Sequence, residues 1–170
     1  MISKKIAKAF NEQINEEYYS SYLYLSMMAH SQSINLDGFA HWMNLQVAEE
    51  NLHAMKFINF VIERGGKVEL EAIKKPPSSW KTPLKMFEDT LTHERHISER
   101  INDLVALSEK ENDRASQAFL QWFVTEQVEE EATAETVLNR LKLVGDSGHG
   151  LLMIDAELAA RQAAPADAGA

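Results

Sequence analysis

Gln46-Val-Ala-Glu49-Glu50-Asn-Leu-His53-Ala-Met-Lys-Phe57 lies within a run, Phe39 to Arg64, that holds neither proline nor glycine. Such a run is expected to be helical. Three residues make nearly one helical turn, so Glu50 and His53 share a face, and a carboxylate and an imidazole so placed can share one metal ion. The rest of that face is apolar, with Phe39, Met43, Phe57 and Phe60 in register and Gln46 the other polar member. A glutamate and a histidine pointing into an apolar seam need a partner there.

Working outward, the same periodicity marks three more long helices. The first runs from Ser3 to about Ser31, with Ile6, Phe10, Ile14, Tyr24 and Met28 on one side. A short polar link, Ser31 to Asn35, leads into the helix already described, and Asn35 or Asp37 can cap it. Gly65-Gly66 closes that helix. The segment Gly65 to Thr82, with Pro76-Pro77, is long and aperiodic. A helix of this length measures about 42 Å, and a link of this length reaches about 60 Å when extended. The link can therefore cross the whole bundle.

Thr82-Pro83 has the form of an N-cap and first helical residue. The third helix continues to about Lys110 with Phe87, Leu91, Ile97, Ile101 and Leu104 inside. After the short turn at Glu111, the fourth helix spans Arg114 to Val144 with Phe119, Phe123, Ala134, Val137 and Leu141 on its seam. Glycines from Gly145 to Gly150 end it, and a short helix is expected from Leu151 to Arg161. The alanine-rich tail is low in complexity and expected to be disordered. The predicted fold is all-α: a four-helix bundle with one long crossover and a short fifth helix, one domain over residues 1–161 and a tail over 162–170.

Composition narrows the chemistry. The chain has 170 residues, no cysteine and a formal net charge of -9. The cysteine count removes thiolate ligands, thiol nucleophiles and disulfides. The negative charge disfavours nucleic-acid and anionic-membrane partners and suits the handling of cations. No apolar stretch has membrane-spanning length, and Met1-Ile-Ser-Lys-Lys-Ile6 lacks a signal-peptide core, so a soluble cytoplasmic protein is expected.

Each long seam carries polar intruders near mid-length. They are Glu17 on the first helix, Glu50 and His53 on the second, Glu94 on the third, and Gln127 with Glu130 on the fourth. No lysine or arginine lies in register beside them. Ionised carboxylates in an apolar core need counter-charges, and metal ions supply them. Oxygen ligands with few imidazoles favour iron or manganese. A lone Glu-x-x-His is common on solvated faces, and the Glu129-Glu130-Glu131 run alone would be a solvated stripe. Agreement among four seams carries the inference. A di-iron redox enzyme acting on an organic substrate or peroxide is the alternative, and a metal-free scaffold is a third.

These motifs resemble bacterial non-haem ferritins over about residues 5 to 161. The matching stretches are Asn11 to Ser21, Glu49-Glu50-x-x-His53, Phe119 to Glu131, and Ser147-Gly-x-Gly-Leu-x-x-Ile-Asp155. The resemblance implies a ferroxidase centre in which Glu17, Glu50 and His53 hold one Fe²⁺, and Glu50, Glu94 and Glu130 hold a second. It implies that Gln127 hydrogen-bonds a bound oxygen species or water, and that Tyr24 is an adjacent redox-active or hydrogen-bonding tyrosine. Trp122 falls on the same face as Glu130, where packing is the expected role and electron donation the alternative the resemblance implies. A third iron nearby would draw on Glu49, Glu126, Glu129 and Glu130.

The implied activity is oxidation of Fe²⁺ by O₂ or H₂O₂, with Fe³⁺ stored as a mineral inside a homo-oligomeric shell of twenty-four subunits. Two departures from relatives are informative. A bacterioferritin carries a second Glu-x-x-His on the fourth helix, where this chain has Gln127-x-x-Glu130, and a haem-ligating methionine where this chain has Asn51. Haem is therefore not expected. Rubrerythrin-like proteins need cysteines, and small Dps-type cages lack a fifth helix, which in the larger shell packs around a fourfold axis.

Overall fold

The structure is a computed structural model in which residues 1–163 are described. Most of the tail expectation, residues 164–170, lies outside the described residues. Five helices make up the fold: α1 (Lys4–Ser33), α2 (Asp37–Glu63), α3 (Pro83–Lys110), α4 (Arg114–Val144) and α5 (Gly148–Ala159). No strand occurs among the described residues. No helix among them is long and apolar enough to cross a membrane. The all-α bundle with one long crossover and a short fifth helix is the architecture expected from the periodicity.

Local chemistry sets most of the boundaries. Ser3, Thr82, Asp113 and Ser147 each accept a hydrogen bond from a first-turn amide, and Pro83 opens α3. Gly65 ends α2 with φ +73°, a conformation that disfavours a side chain. Three ends differ from expectation, α5 stopping at Ala159 instead of Arg161. The first helix continues to Ser33 because the chain meets no conformational break before Asn35, at φ +60°. The fifth starts at Gly148 rather than Leu151, because Ser147 Oγ accepts from Gly150 N at 3.1 Å and caps it early.

The start of α2 departs more. Neither Asn35 nor Asp37 caps it. Asn35 is spent on the left-handed turn, and Asp37 is already helical. The cap comes from α5: Asp155 Oδ1 accepts from Phe39 N at 3.0 Å. The two backbones meet at Gly38, where a Cβ would lie 1.7 Å from the Asp155 carbonyl oxygen. Only glycine permits that crossing.

Residues 64–82 run along α1. Asn11 Nδ2 donates to Lys67 O and Asn11 Oδ1 accepts from Glu69 N, both at 2.9 Å. Asn15 Nδ2 reaches Glu71 O at 3.3 Å, and Ser26 Oγ donates to Pro77 O at 2.6 Å. Contacts that advance together along link and helix place the link parallel to α1. It therefore returns the chain to the end where α2 began, and α3 runs parallel to α2.

The core divides into two apolar clusters. One gathers Tyr24, Met27, Phe39, Trp42, Met43, Phe87 and Leu91. The other gathers Phe10, Ile14, Phe57, Val61, Ile97, Ile101 and Phe123. Phe57 and Phe123 pack with ring centroids 4.3 Å apart, and Phe60 stacks on Phe119 at 4.1 Å. By helical register, the polar residues of all four seams fall between the two clusters.

Candidate metal centre

Five side chains from four helices are buried in that layer: Glu17 on α1, Glu50 and His53 on α2, Glu94 on α3 and Glu130 on α4, none more than 5% exposed. Each sits where the apolar register of its own helix points inward. One ligand atom each from Glu17, Glu50 and His53 lies within 4.8 Å of the others, and the same holds for His53, Glu126 and Glu130. His53 Nδ1 is 3.2 Å from Glu50 Oε2, and its Nε2 is 4.0 Å from Glu126 Oε1. The imidazole thus stands between two carboxylate groups, its ring edge-on to Trp122 and Phe123.

Burial dominates the electrostatics. It pushes the Glu17 carboxyl up to about 8, with the charge of Glu50 adding to the effect. Glu130 is likewise raised to about 8 by burial, then by Glu94 and Glu49. Glu50 is raised well above the ordinary carboxylate range by burial, then by Glu94 and Glu130. Burial also raises Glu94, and the hydrogen bonds from Tyr24 and Gln127 oppose it. Without a cation these groups resist ionising together. Glu17 Oε2 is buried with no hydrogen-bond partner. An orphaned carboxylate oxygen beside a second carboxylate and an imidazole fits a divalent metal ion.

The layer is steadied by neutral donors. Tyr24 OH donates to Glu94 Oε1. Gln127 Nε2 donates to Glu94 Oε2 at 3.3 Å and to its main-chain oxygen at 3.2 Å. Two further glutamines were less legible in sequence. Gln13 Nε2 donates to Glu17 Oε1 at 2.9 Å, and Gln46 Nε2 donates to Glu130 Oε2 at 2.8 Å. Behind each stands an arginine. Arg100 Nε donates to Gln13 Oε1 at 2.9 Å, and Arg161 Nη1 donates to Gln46 Oε1 at 2.5 Å. Two arginines thus act on the layer through amides.

The outer acidic residues are placed unequally. Glu126 is half-buried beside His53 and Glu130. Glu49, one residue of rotation from Glu50, is gripped by Arg161 Nη2 at 2.9 and 3.2 Å. Glu129 is exposed. Trp122 is half-buried, with Lys56 Nζ 4.1 Å from its ring centroid. Asn51 bonds to Ser21 Oγ and Val47 O. His93, next to Glu94, is buried against Ser20 Oγ at 2.7 Å, and burial lowers it to about 4, so it is neutral at physiological pH.

Comparison with known proteins agrees with this fold. The family described as "Ferritin-like domain" matches residues 7–144. A bacterial non-heme ferritin of Bacteroides fragilis is 45% identical over 161 residues, covering 95% of this chain and 100% of the relative. One from Staphylococcus epidermidis is 38% identical, covering 95% and 97%. A solved open pore ferritin from the hyperthermophilic archaeon Archaeoglobus fulgidus superposes with a TM-score of 0.94 at 49% identity, covering 95% of this chain and 100% of that one. The four-helix scaffold, the buried carboxylate layer and these matches together place the chain in the ferritin family.

Proposed function

We propose that the protein oxidises Fe²⁺ at the buried layer and stores Fe³⁺ as a mineral within a shell of twenty-four copies in the cytoplasm. The observation that carries this reading is the meeting of Glu17, Glu50, His53, Glu94 and Glu130 in one buried layer with an unsatisfied carboxylate oxygen. Iron is the substrate. One Fe²⁺ is held by Glu17, Glu50 and His53, and a second by Glu50, Glu94 and Glu130, with Glu50 between them. Two Fe²⁺ give up two electrons, which O₂ takes with two protons to form H₂O₂, or H₂O₂ takes with two protons to form water.

The protein's groups favour the oxidised ion. Several carboxylates in a low-dielectric layer stabilise Fe³⁺ over Fe²⁺ more strongly than water does. Their protons leave as iron binds, so binding strengthens as pH rises. Gln127 and Tyr24 hold Glu94, and the Gln127 amide remains a donor for an oxygen species or water. Tyr24 is placed to pass an electron or a proton through that hydrogen bond. Glu126, beside His53, is a ligand for a third ion together with Glu130, and Glu129, exposed one residue before Glu130, is a further acidic group for it. Having Gln127-x-x-Glu130 in place of a second Glu-x-x-His suits a centre that releases its product rather than retaining a permanent cofactor.

Aerobic addition of Fe²⁺ tests the chemistry. Glu50→Ala combined with His53→Ala is expected to lower the initial oxidation rate by roughly a hundredfold or more, since two ligands are lost where loss of a supporting partner alone costs about 10–100-fold. An unchanged rate would place oxidation elsewhere. Size-exclusion chromatography tests storage: a monomer or dimer in place of a large shell would remove the storage reading and leave a di-iron redox enzyme.

A further inference from the structure

Arg161, just beyond α5, reaches back to the centre with its side chain. The Arg161 carbonyl accepts from His41 Nε2 at 2.8 Å, and its guanidinium lies over the Trp42 indole, 4.8 Å from the ring centroid. From there Nη1 meets the Gln46 oxygen while Nη2 holds both oxygens of Glu49. A guanidinium can only donate, so it obliges Gln46 to present its oxygen outward and its NH₂ to Glu130. The Arg100–Gln13–Glu17 relay has the same first steps, but Arg100 grips no acidic residue of the centre's edge; its ion pair is with Glu16 at 4.0 Å.

Glu49 is therefore engaged by an internal cation. Its carboxylate is only 13% exposed, and its charge already bears on Glu130 and Glu50. We propose that Arg161 is a positioning residue that competes with divalent metal for Glu49, so that Glu49 joins the centre only when Arg161 releases it. This rests on the reading of the carboxylate layer as a divalent-metal centre. A metal ion approaching Glu49 meets a fork of N–H donors and must displace it. Seating of α5 on α2, through Asp155 and Gly38, sets how readily Arg161 lets go.

Anaerobic titration of the metal-stripped, assembled full-length protein with Co²⁺, followed by its visible absorption, tests this. Arg161→Gln is expected to tighten the weakest Co²⁺ binding step by about tenfold, the order of one charge-assisted contact. In a Glu49→Gln background the same substitution is expected to change nothing. Identical titrations for wild type and Arg161→Gln overturn the proposal. So does a tightening that persists in the Glu49→Gln background, which would reflect only the lost positive charge. If size exclusion shows that Arg161→Gln does not assemble, Arg161→Lys decides. Its single ammonium lacks the fork, so a smaller tightening, about threefold, supports the competition and none overturns it. Failure of the wild type to bind Co²⁺ at all would instead refute the metal-centre reading.

Discussion

Phe57 and Glu50 lie two turns apart on α2 and are buried alike, at 0% and 2% exposure. Around Phe57 the neighbours are rings, Phe10, Phe119 and Phe123, at centroid separations of 4.3 to 5.2 Å. Around Glu50 stand His53 and further acids, and burial plus the charges of Glu94 and Glu130 push its carboxyl well above the ordinary carboxylate range. Equal burial thus has opposite energetic signs. The aromatic layer contributes to stability by leaving water, whereas the acidic layer loses hydration, a cost that a bound cation offsets. The apolar clusters on either side hold the acidic layer in a geometry it would not adopt by itself. That arrangement is the mark of a site, since a core selected for stability alone would be apolar throughout.

The contrast is strongest at the aromatic layer. Phe57→Ala is expected to destabilise the metal-free protein by roughly 3–5 kcal/mol, because the ring leaves a cavity its neighbours cannot fill. Thermal or denaturant unfolding measures it, and a near-neutral result would mean that the aromatic layer does not support its neighbour.

At the acidic layer the expected sign reverses, and it depends on pH. In the fold, Glu17 and Glu130 keep their protons up to about 8, against an ordinary value of 4.5. Between those values the unfolded chain binds fewer protons than the native one, so stability falls as pH rises through the window and is fully present below it. The melting temperature of metal-stripped protein is expected to be higher at pH 5 than at pH 8. Glu17→Gln should raise it at pH 8 and leave it unchanged near pH 4.5. Added divalent metal should raise it more at pH 8, where the ligands release their protons with less cost. A melting temperature that climbs from pH 5 to pH 8 without metal would contradict the strained-layer account.

Tyr24 marks the border between the two chemistries. Its ring belongs to an apolar cluster, and its hydroxyl donates to Glu94. Tyr24→Phe keeps the packing and removes one hydrogen bond, so a loss of about 1 kcal/mol is expected. A loss as large as that of Phe57→Ala would show that the hydroxyl does more than orient one carboxylate.

The outline of this molecule was legible because it is written in local spacing. A 3.6-residue repeat shows which residues share a helix face, so Glu17, Glu50, His53, Glu94, Gln127 and Glu130 stood out as polar members of apolar seams. Thr82-Pro83 and Gly65-Gly66 announced their helix ends through chemistry confined to one turn. Gln46 was visible as a seam residue, but its partner Glu130 lies on another helix. Asn11 and Asn15, four residues apart on an outer face, anchor the crossover along α1, and only the fold shows it.

Other features depended on contacts between residues distant along the chain. Asp155 caps a helix that begins more than a hundred residues earlier, displacing the local candidates Asn35 and Asp37. Arg161, beyond the last helix, grips Glu49 and orients Gln46. Arg100 does the same for Gln13 from α3. Sequence spacing determines which way a side chain points along its own helix, because the backbone geometry there is fixed by nearest neighbours. What meets that side chain is decided when helices pack, since no local rule links Arg161 to Glu49 or Asp155 to Phe39. The acidic layer was therefore determined by the sequence, and the cations and caps that govern it by the tertiary structure.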